Sequence, residues 1–329
     1  MISTIFKLLG SLGVFLYGMR VMSDGLQKVA GNKLQSVLNY MTNNSIAAVL
    51  TGFIITSLIQ SSSATTVMIV SFVNANLLTL TQAIGVIMGA NIGTTVTTWI
   101  ISFIGFKFEI SAIALPIVGI GLPFIFSKYK RRRDFGEILI GFGLLFLGLM
   151  FMKSSVPDIN SNPEVLEFLK HYTDLGFLSF LIFVAVGTVL TIIVQSSSAA
   201  MAVTITMAFM GWINFITAAA IVLGENIGTT ITTYLASIGT NVNARRAARA
   251  HFLFNILGVI WMAFIFQYFT KFILNIAPWN SSLHCGIHPS WKYHAVISLE
   301  ERLSELRLSG VILFIMYWVL RLVGCGWKG

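Results

Sequence analysis

Residues 56–66 read TSLIQSSSATT, and residues 191–201 read TIIVQSSSAAM. Each block interrupts a long apolar stretch with a glutamine and three hydroxyls. Further on, GANIGTTVTTW at 89–99 answers GENIGTTITTY at 224–234. These are parts of one longer repeat. Gly52 to Ser102 aligns without a gap on Gly187 to Ser237 at a constant offset of 135, with 17 of 51 positions identical. The identities gather in polar residues for which a lipid-facing helix has no use, so the repeat is a duplicated functional unit and not a by-product of apolar composition.

Outward from the repeat, the 329-residue chain is 56% hydrophobic and 10% charged, against about 25% charged residues in a typical soluble domain. That composition excludes a soluble enzyme. Apolar runs extend over Ile5–Met22, Ile46–Leu78, Thr81–Phe106, Ile110–Ser127, Phe135–Met152, Phe177–Ile213, Phe215–Ile238 and Ala250–Ile276. They specify an all-α polytopic membrane protein. The first run contains Lys7, ends in Arg20 and is followed by no small-residue cleavage site, so it reads as a retained helix. The net charge of +9 lies between apolar runs without a basic, aromatic-interleaved stripe, which fits membrane topology and not nucleic acid. Cys285 and Cys325 lie near the C-terminus and support no disulfide framework or metal site in the body of the chain.

The arm from Ile46 to Ile59 covers about 21 Å as a helix, short of a roughly 30 Å hydrocarbon core. A re-entrant hairpin fits that length better than a span. Three basic clusters test the choice: Arg20, Lys28 and Lys33; Lys128, Lys130, Arg131, Arg132 and Arg133; and Arg245, Arg246 and Arg249. If both QSSS segments turn back, all three fall on one side of the membrane, as the positive-inside rule prefers. Three crossings then separate the two copies, and an odd number makes them inverted. The expected organisation is a first inverted repeat over 1–127 with its hairpin at 46–78, a basic cytoplasmic linker at 128–134, and a second inverted repeat over 135–278 with its hairpin at 177–213. The tail, 279–329, is atypical in composition, and either amphipathic membrane binding by Leu299–Leu308 or one extra span by Leu308–Val323 is open to it. Paired hairpins meeting near the midplane are the architecture of a secondary transporter.

At each expected tip, a turn beside a half-helix N-terminus offers free N–H groups and a positive dipole end to an oxyanion. Neither motif contains Lys or Arg, so an anion there depends on neutral donors, helix ends and co-bound cations. Hydroxyl and carbonyl oxygens also suit Na⁺. In the second motif, Gly89, Gly93, Gly224 and Gly228 permit local unwinding or close backbone approach, and the alternative use of its small residues is helix packing. Glu225 has Ala90 as its counterpart. An ionisable group within a span is a candidate for Na⁺ or H⁺ coupling, and equally for a structural ion pair. His251 and Asn255, one helical turn apart, either approach the substrate path or make a polar contact at a helix start. No His and carboxylate accompany either QSSS in a hydrolase arrangement, so no catalytic residues are expected.

With the paired QSSS and NIGTT motifs and the segment AHFLFN at 250–255, the chain resembles the type II sodium-phosphate cotransporter family, especially its bacterial members, over roughly residues 1–278. The resemblance implies a bacterial inner-membrane symporter that uses Na⁺ as coupling ion, with inorganic phosphate, Na⁺ and the lipid bilayer as its partners and no other cofactor. It implies phosphate and Na⁺ binding at Gln60, Ser61, Ser62, Ser63, Gln195, Ser196, Ser197 and Ser198. Asn91, Thr94, Thr95, Asn226, Thr229 and Thr230 follow as second candidates, without assignment of individual Na⁺ ligands; Thr66, which adds a hydroxyl at the first tip, and Glu225 join them from the residues themselves and not from the resemblance. Many bacterial relatives carry a helical domain resembling the phosphate-regulatory PhoU protein, and no such domain is expected here. A phosphate exporter with the same core and a non-transporting phosphate sensor are the alternatives. Stoichiometry and oligomeric state are not legible.

Overall fold

The computed structural model describes residues 2–39, 44–107, 110–155, 172, 175–210 and 212–276. The expectations for the tail, and much of the connection before Asp174, lie outside the described residues. Among the described residues there are ten helices: α1 (Ile2–Asn39), α2 (Ser45–Ile59), α3 (Ser62–Asn74), α4 (Leu80–Lys107), α5 (Ile110–Ile125), α6 (Lys130–Ser155), α7 (Phe177–Val194), α8 (Ser197–Phe209), α9 (Phe215–Ala236) and α10 (Val242–Ile276). No strand is present among the described residues. Among the described residues five helices, α4, α6, α7, α9 and α10, are long and apolar enough to cross a membrane. Leu181, Val189 and Ile193 of α7, Leu115 and Leu122 of α5, and Leu257 and Phe264 of α10 project outward, as lipid-facing side chains do when the solvent is a bilayer.

Local chemistry sets the boundaries. The Asn44 side chain accepts a bond from the Ile46 N–H at 3.0 Å and starts α2, and Asn214 accepts from the Thr217 N–H at 2.8 Å to start α9. Such caps satisfy donors that a helix start would otherwise leave unpaired. Three expected boundaries shift. α1 runs well past Met22 to Asn39, α6 begins inside the basic run, at Lys130, and α10 begins at Val242, ahead of the third basic cluster and of Ala250. Lys28 of α1 forms an ion pair with Glu137 of α6, so one residue of the first basic cluster also ties two helices together.

The duplicated sequence makes duplicated contacts. α2 and α3 both pack on α4, and α7 and α8 both pack on α9. A Cβ added at Gly52 would run into the Val86 carbonyl oxygen, and one at Gly187 into that of Ile221; Val86 and Ile221 are themselves 135 apart. Gly89 meets the Val49 carbonyl in the same way, and Gly224 that of Val184. α4 and α9 run unbroken through both NIGTT segments. Of the two uses expected for these glycines, close approach is the one found, and local unwinding is not.

The two halves are packed across one another. α3 of the first copy lies against α9 and α10, while α8 of the second lies against α4, α6 and α1. One apolar cluster joins Val70, Val73 and Ala83 to Ala244, Ala247 and Ala248 of α10. Another joins Ala199 and Ala202 of α8 to Phe15, Met19 and Phe146 of α1 and α6. Thr66 shares a 2.7 Å hydrogen bond with Thr233. At the corresponding positions, Thr98 donates to the Met201 sulfur.

Candidate functional site

Both QSSS motifs interrupt a helix in the same way. α2 ends at Ile59, and Gln60 takes a left-handed conformation with φ 57° while its N–H still bonds the Thr56 carbonyl at 2.7 Å. Ser61 then returns to extended backbone, and its side chain accepts from the Ala64 N–H at 3.2 Å, capping α3. In the second copy, Gln195 has φ 54° and bonds Thr191 O at 2.8 Å, and Ser196 accepts from the Ala199 N–H at 3.3 Å to cap α8. A left-handed non-glycine residue is uncommon. Its recurrence at two glutamines 135 residues apart marks a built turn. At 15, 13, 18 and 13 residues, the four flanking helices include three too short to cross a hydrocarbon core unaided.

The two turns face one cavity of about 450 Å³. All eight residues of the QSSS motifs line it, and the N-terminal ends of α3 and α8 open onto it. Free N–H groups and the positive ends of two helix dipoles are thus brought together from opposite halves of the chain. The other expected site residues are not in the cavity wall. Thr66 is buried on Thr233. Thr94, Thr95, Thr229 and Thr230 donate to carbonyls of their own helices. Asn226 is half-buried, and Glu225 is fully buried behind the wall, bonded to Thr204.

α1 supplies what the motifs lack. Leu16, Met19, Arg20, Ser23, Asp24 and Gln27 line the cavity at the spacing of one helical face, and Ala64 of α3 completes the wall. The expectation that an anion here meets only neutral protein groups is therefore corrected: Arg20 stands in the wall, exposed and making no ion pair with another described residue. Its place at the end of an apolar run favours a topological reading, and nothing in the local sequence signals the cavity. The only usable cue is the spacing of Arg20, Ser23, Asp24 and Gln27 at i, i+3, i+4 and i+7. Ser23 also donates to the Ile59 carbonyl, tying α1 to the last turn of α2, and accepts from Gln27 at 3.2 Å.

A buried polar network lies outside the cavity. The His251 ring reaches Thr233 Oγ1 and Asn91 Oδ1, each at 3.2 Å; Asn91 donates to Asn255 Oδ1 at 3.4 Å, and Asn255 donates to the His251 carbonyl at 3.0 Å. With the Thr66–Thr233 bond, it ties α3 and α4 of the first half to α9 and α10 of the second. Neither expected use of His251 and Asn255 is found: they are absent from the cavity wall, and because α10 starts at Val242 their polar contacts form a buried network along the body of the helix and not at its start. Among the described residues no group of three His, Cys, Asp or Glu is placed to hold a metal.

A family model described as Na⁺/Pi-cotransporter matches residues 14–154 and 161–285. The chain belongs to the Na⁺/Pi-cotransporter family. It is 32% identical over 267 residues to "Uncharacterized protein YqeW" of Bacillus subtilis, covering 80% of this chain and 83% of that one. It is 31% identical over 256 residues to "Putative inorganic phosphate export protein YjbB" of Salmonella typhimurium, covering 78% of this chain and 46% of that one. Over 99 residues it is 40% identical to "Sodium-dependent phosphate transport protein 2A" of Rattus norvegicus, covering 29% and 15%. The chain thus spans less than half of the YjbB proteins. No solved structure matches. As a member of the Na⁺/Pi-cotransporter family, the protein is one of a group of transporters, not enzymes, with phosphate and Na⁺ as the transported species and a multi-pass plasma-membrane location.

Proposed function

We propose that this protein is a Na⁺-coupled inorganic phosphate carrier of the bacterial inner membrane, working by alternating access, with phosphate held between the paired QSSS turns. The observation that carries the reading is the shared cavity: two identical motifs, 135 residues apart in sequence, present their glutamines, hydroxyls and helix N-termini to one space. In this reading α2–α3 and α7–α8 are re-entrant hairpins of two inverted repeats, and their tips meet near the midplane. The Arg20 guanidinium supplies one full positive charge, the Asp24 carboxylate one turn on in the same wall offsets it, and Na⁺ supplies the balance for a ligand carrying one to two negative charges. A single cationic side chain also suits release, because several fixed charges in a low-dielectric site would hold the anion too tightly. Gln60 has a side-chain oxygen that is buried without a partner, beside the Ser61–Ser63 hydroxyls. Oxygens of this kind are what Na⁺ requires. The second motif then supports the hairpins, and Asn91, Thr94, Thr95, Asn226, Thr229 and Thr230 act on the site through packing or in another state of the carrier.

The test is labelled-phosphate flux in proteoliposomes under an imposed Na⁺ gradient. Flux that follows the gradient is expected, and flux indifferent to Na⁺ would refute the coupling. Similarity to a protein named for phosphate export supports a second reading, in which the same core moves phosphate outward. Falling cellular phosphate on expression selects export, rising phosphate selects uptake, and phosphate binding without flux selects a sensor.

A further inference from the structure

Among the described residues Glu225 is the one carboxylate with no exposed surface, and it does not line the cavity. The residue is fully buried on α9. Its Oε1 accepts a 2.6 Å hydrogen bond from Thr204 of α8, while Oε2 has no partner. No described cation pairs with it.

The first half of the molecule provides a control. At offset 135, Glu225 corresponds to Ala90 and Thr204 to Ile69, and both of those are fully buried. The same packing is therefore built from an apolar pair in one copy and from a carboxylate with a hydroxyl in the other. Both members of the pair differ together. The fold does not require a polar group at this place, since its twin does without one, so a structural role for the acid lacks support.

An ionised carboxylate in such a place is strongly disfavoured unless it is neutralised. Neutralisation comes from a cationic side chain, a metal cation or a proton. The elements packed against α9 are α3, α7, α8 and α10. α3, α7 and α8 contain no Asp, Glu, His, Lys, Arg or Tyr. On α10, Arg245, Arg246, Arg249, Tyr268 and Lys271 are exposed, and His251 is buried on Thr233 and Asn91. On α9 itself, Tyr234 is exposed. A hard metal cation gathers several oxygens, whereas the hydrogen-bonding side-chain oxygen at this carboxylate is that of Thr204 alone. A proton needs no such shell.

We propose that Glu225 and Thr204 form a proton-binding site, present in the second repeat only, that loads and unloads a proton as the carrier cycles. The O–H bond forms on Oε2; the proton comes from water and returns to water when the site opens. Thr204 stands on the arm whose first turn, Ser197 and Ser198, lines the cavity. The charge on Glu225 thus bears on how firmly that arm sits on α9, and the first copy has no equivalent tie. Proton linkage to phosphate movement rests on the transport reading above. The existence of the proton site does not.

The experiment is infrared difference spectroscopy of the purified full chain, paired with phosphate flux across a range of pH. Wild type should show the C=O stretch of a protonated carboxyl at neutral pH, retained in saturating Na⁺, and Glu225→Gln should lose it. The pH profile of flux should lose one ionisation step in Glu225→Gln beyond that of phosphate itself, with His251 still present in both proteins. Should Glu225→Gln fail to fold, the double variant Glu225→Ala with Thr204→Ile reproduces the packing of the first copy and serves instead. Absence of the band from wild type, or its abolition by Na⁺, overturns the proposal. If wild type carries no phosphate, the transport reading fails and the band alone decides the proton site.

Discussion

The two QSSS turns have the same backbone and different surroundings. In the first, Thr56 donates to Thr65 across the break at 3.1 Å, Ser23 of α1 holds the Ile59 carbonyl, and Gln60 is buried with its amide donating to the Ser57 carbonyl. In the second, Ala200 stands where Thr65 would be, so the Thr191 hydroxyl is buried without a partner, and Gln195 is exposed to the cavity. The first turn is anchored at the break itself, and the second on the arm beyond it, through Thr204 and Glu225. Duplication therefore preserved the geometry of the turn while leaving its anchoring free to diverge.

The broadest way to break the comparison is to attack what the copies share. Gly52→Ala and Gly187→Ala each drive a methyl group into a backbone carbonyl, and both should destabilise by the upper end of about 1–3 kcal/mol or more. Loss of the monodisperse peak on size exclusion, equal in the two variants, is the expected result; tolerance of either one would show that the helices can separate without penalty.

Next in size is the pair Gln60→Ala and Gln195→Ala. If the buried amide is a ligand, Gln60→Ala loses a bond to a charged group worth about 1.5–3 kcal/mol, which is roughly ten- to hundredfold in half-saturation for phosphate or Na⁺. The exposed Gln195 should cost less, and equal losses would erase the asymmetry. Arg20→Gln comes third. Removing the one cation in the wall should weaken phosphate half-saturation by about tenfold, since charge-assisted bonds are about twice as strong as neutral ones, and unchanged half-saturation would return Arg20 to a purely topological role.

How much of this was legible in sequence depends on whether the signal was local or assembled. The breaks at Gln60 and Gln195 were, because a polar tetrad inside an apolar run, repeated at a fixed offset, has little reason to exist on a continuous lipid-facing helix. The glycines were half legible: sequence left open whether they unwound a helix or admitted a neighbour, and the Val86 and Ile221 carbonyls answer that only in three dimensions. The α1 contribution was not legible. Arg20 sits more than a hundred and seventy positions from Gln195, and its local context, the end of an apolar run, speaks only of topology. Thr66 lies close to the first QSSS tetrad in sequence, and the turn of α3 instead carries its hydroxyl away to Thr233.

The smallest test exchanges the anchors themselves. Thr65→Ala should strand the Thr56 hydroxyl and cost about 1–3 kcal/mol, and Ala200→Thr should give Thr191 a partner and add roughly 1 kcal/mol. Thermal unfolding in detergent reads both, and shifts of the same sign would deny that the turns differ in anchoring.

The crossed packing of the halves has a consequence for biosynthesis. Val70, Val73 and Thr66 of α3 find their partners on α9 and α10, and Thr233 lies 167 residues after Thr66. At roughly 5–20 residues per second, the nascent α3 waits about 10–30 s before the ribosome delivers its neighbour. During that interval the arm is too short to span and rests on α2 and α4 of its own half alone, with the face that will meet α9 and α10 uncovered until the second half arrives.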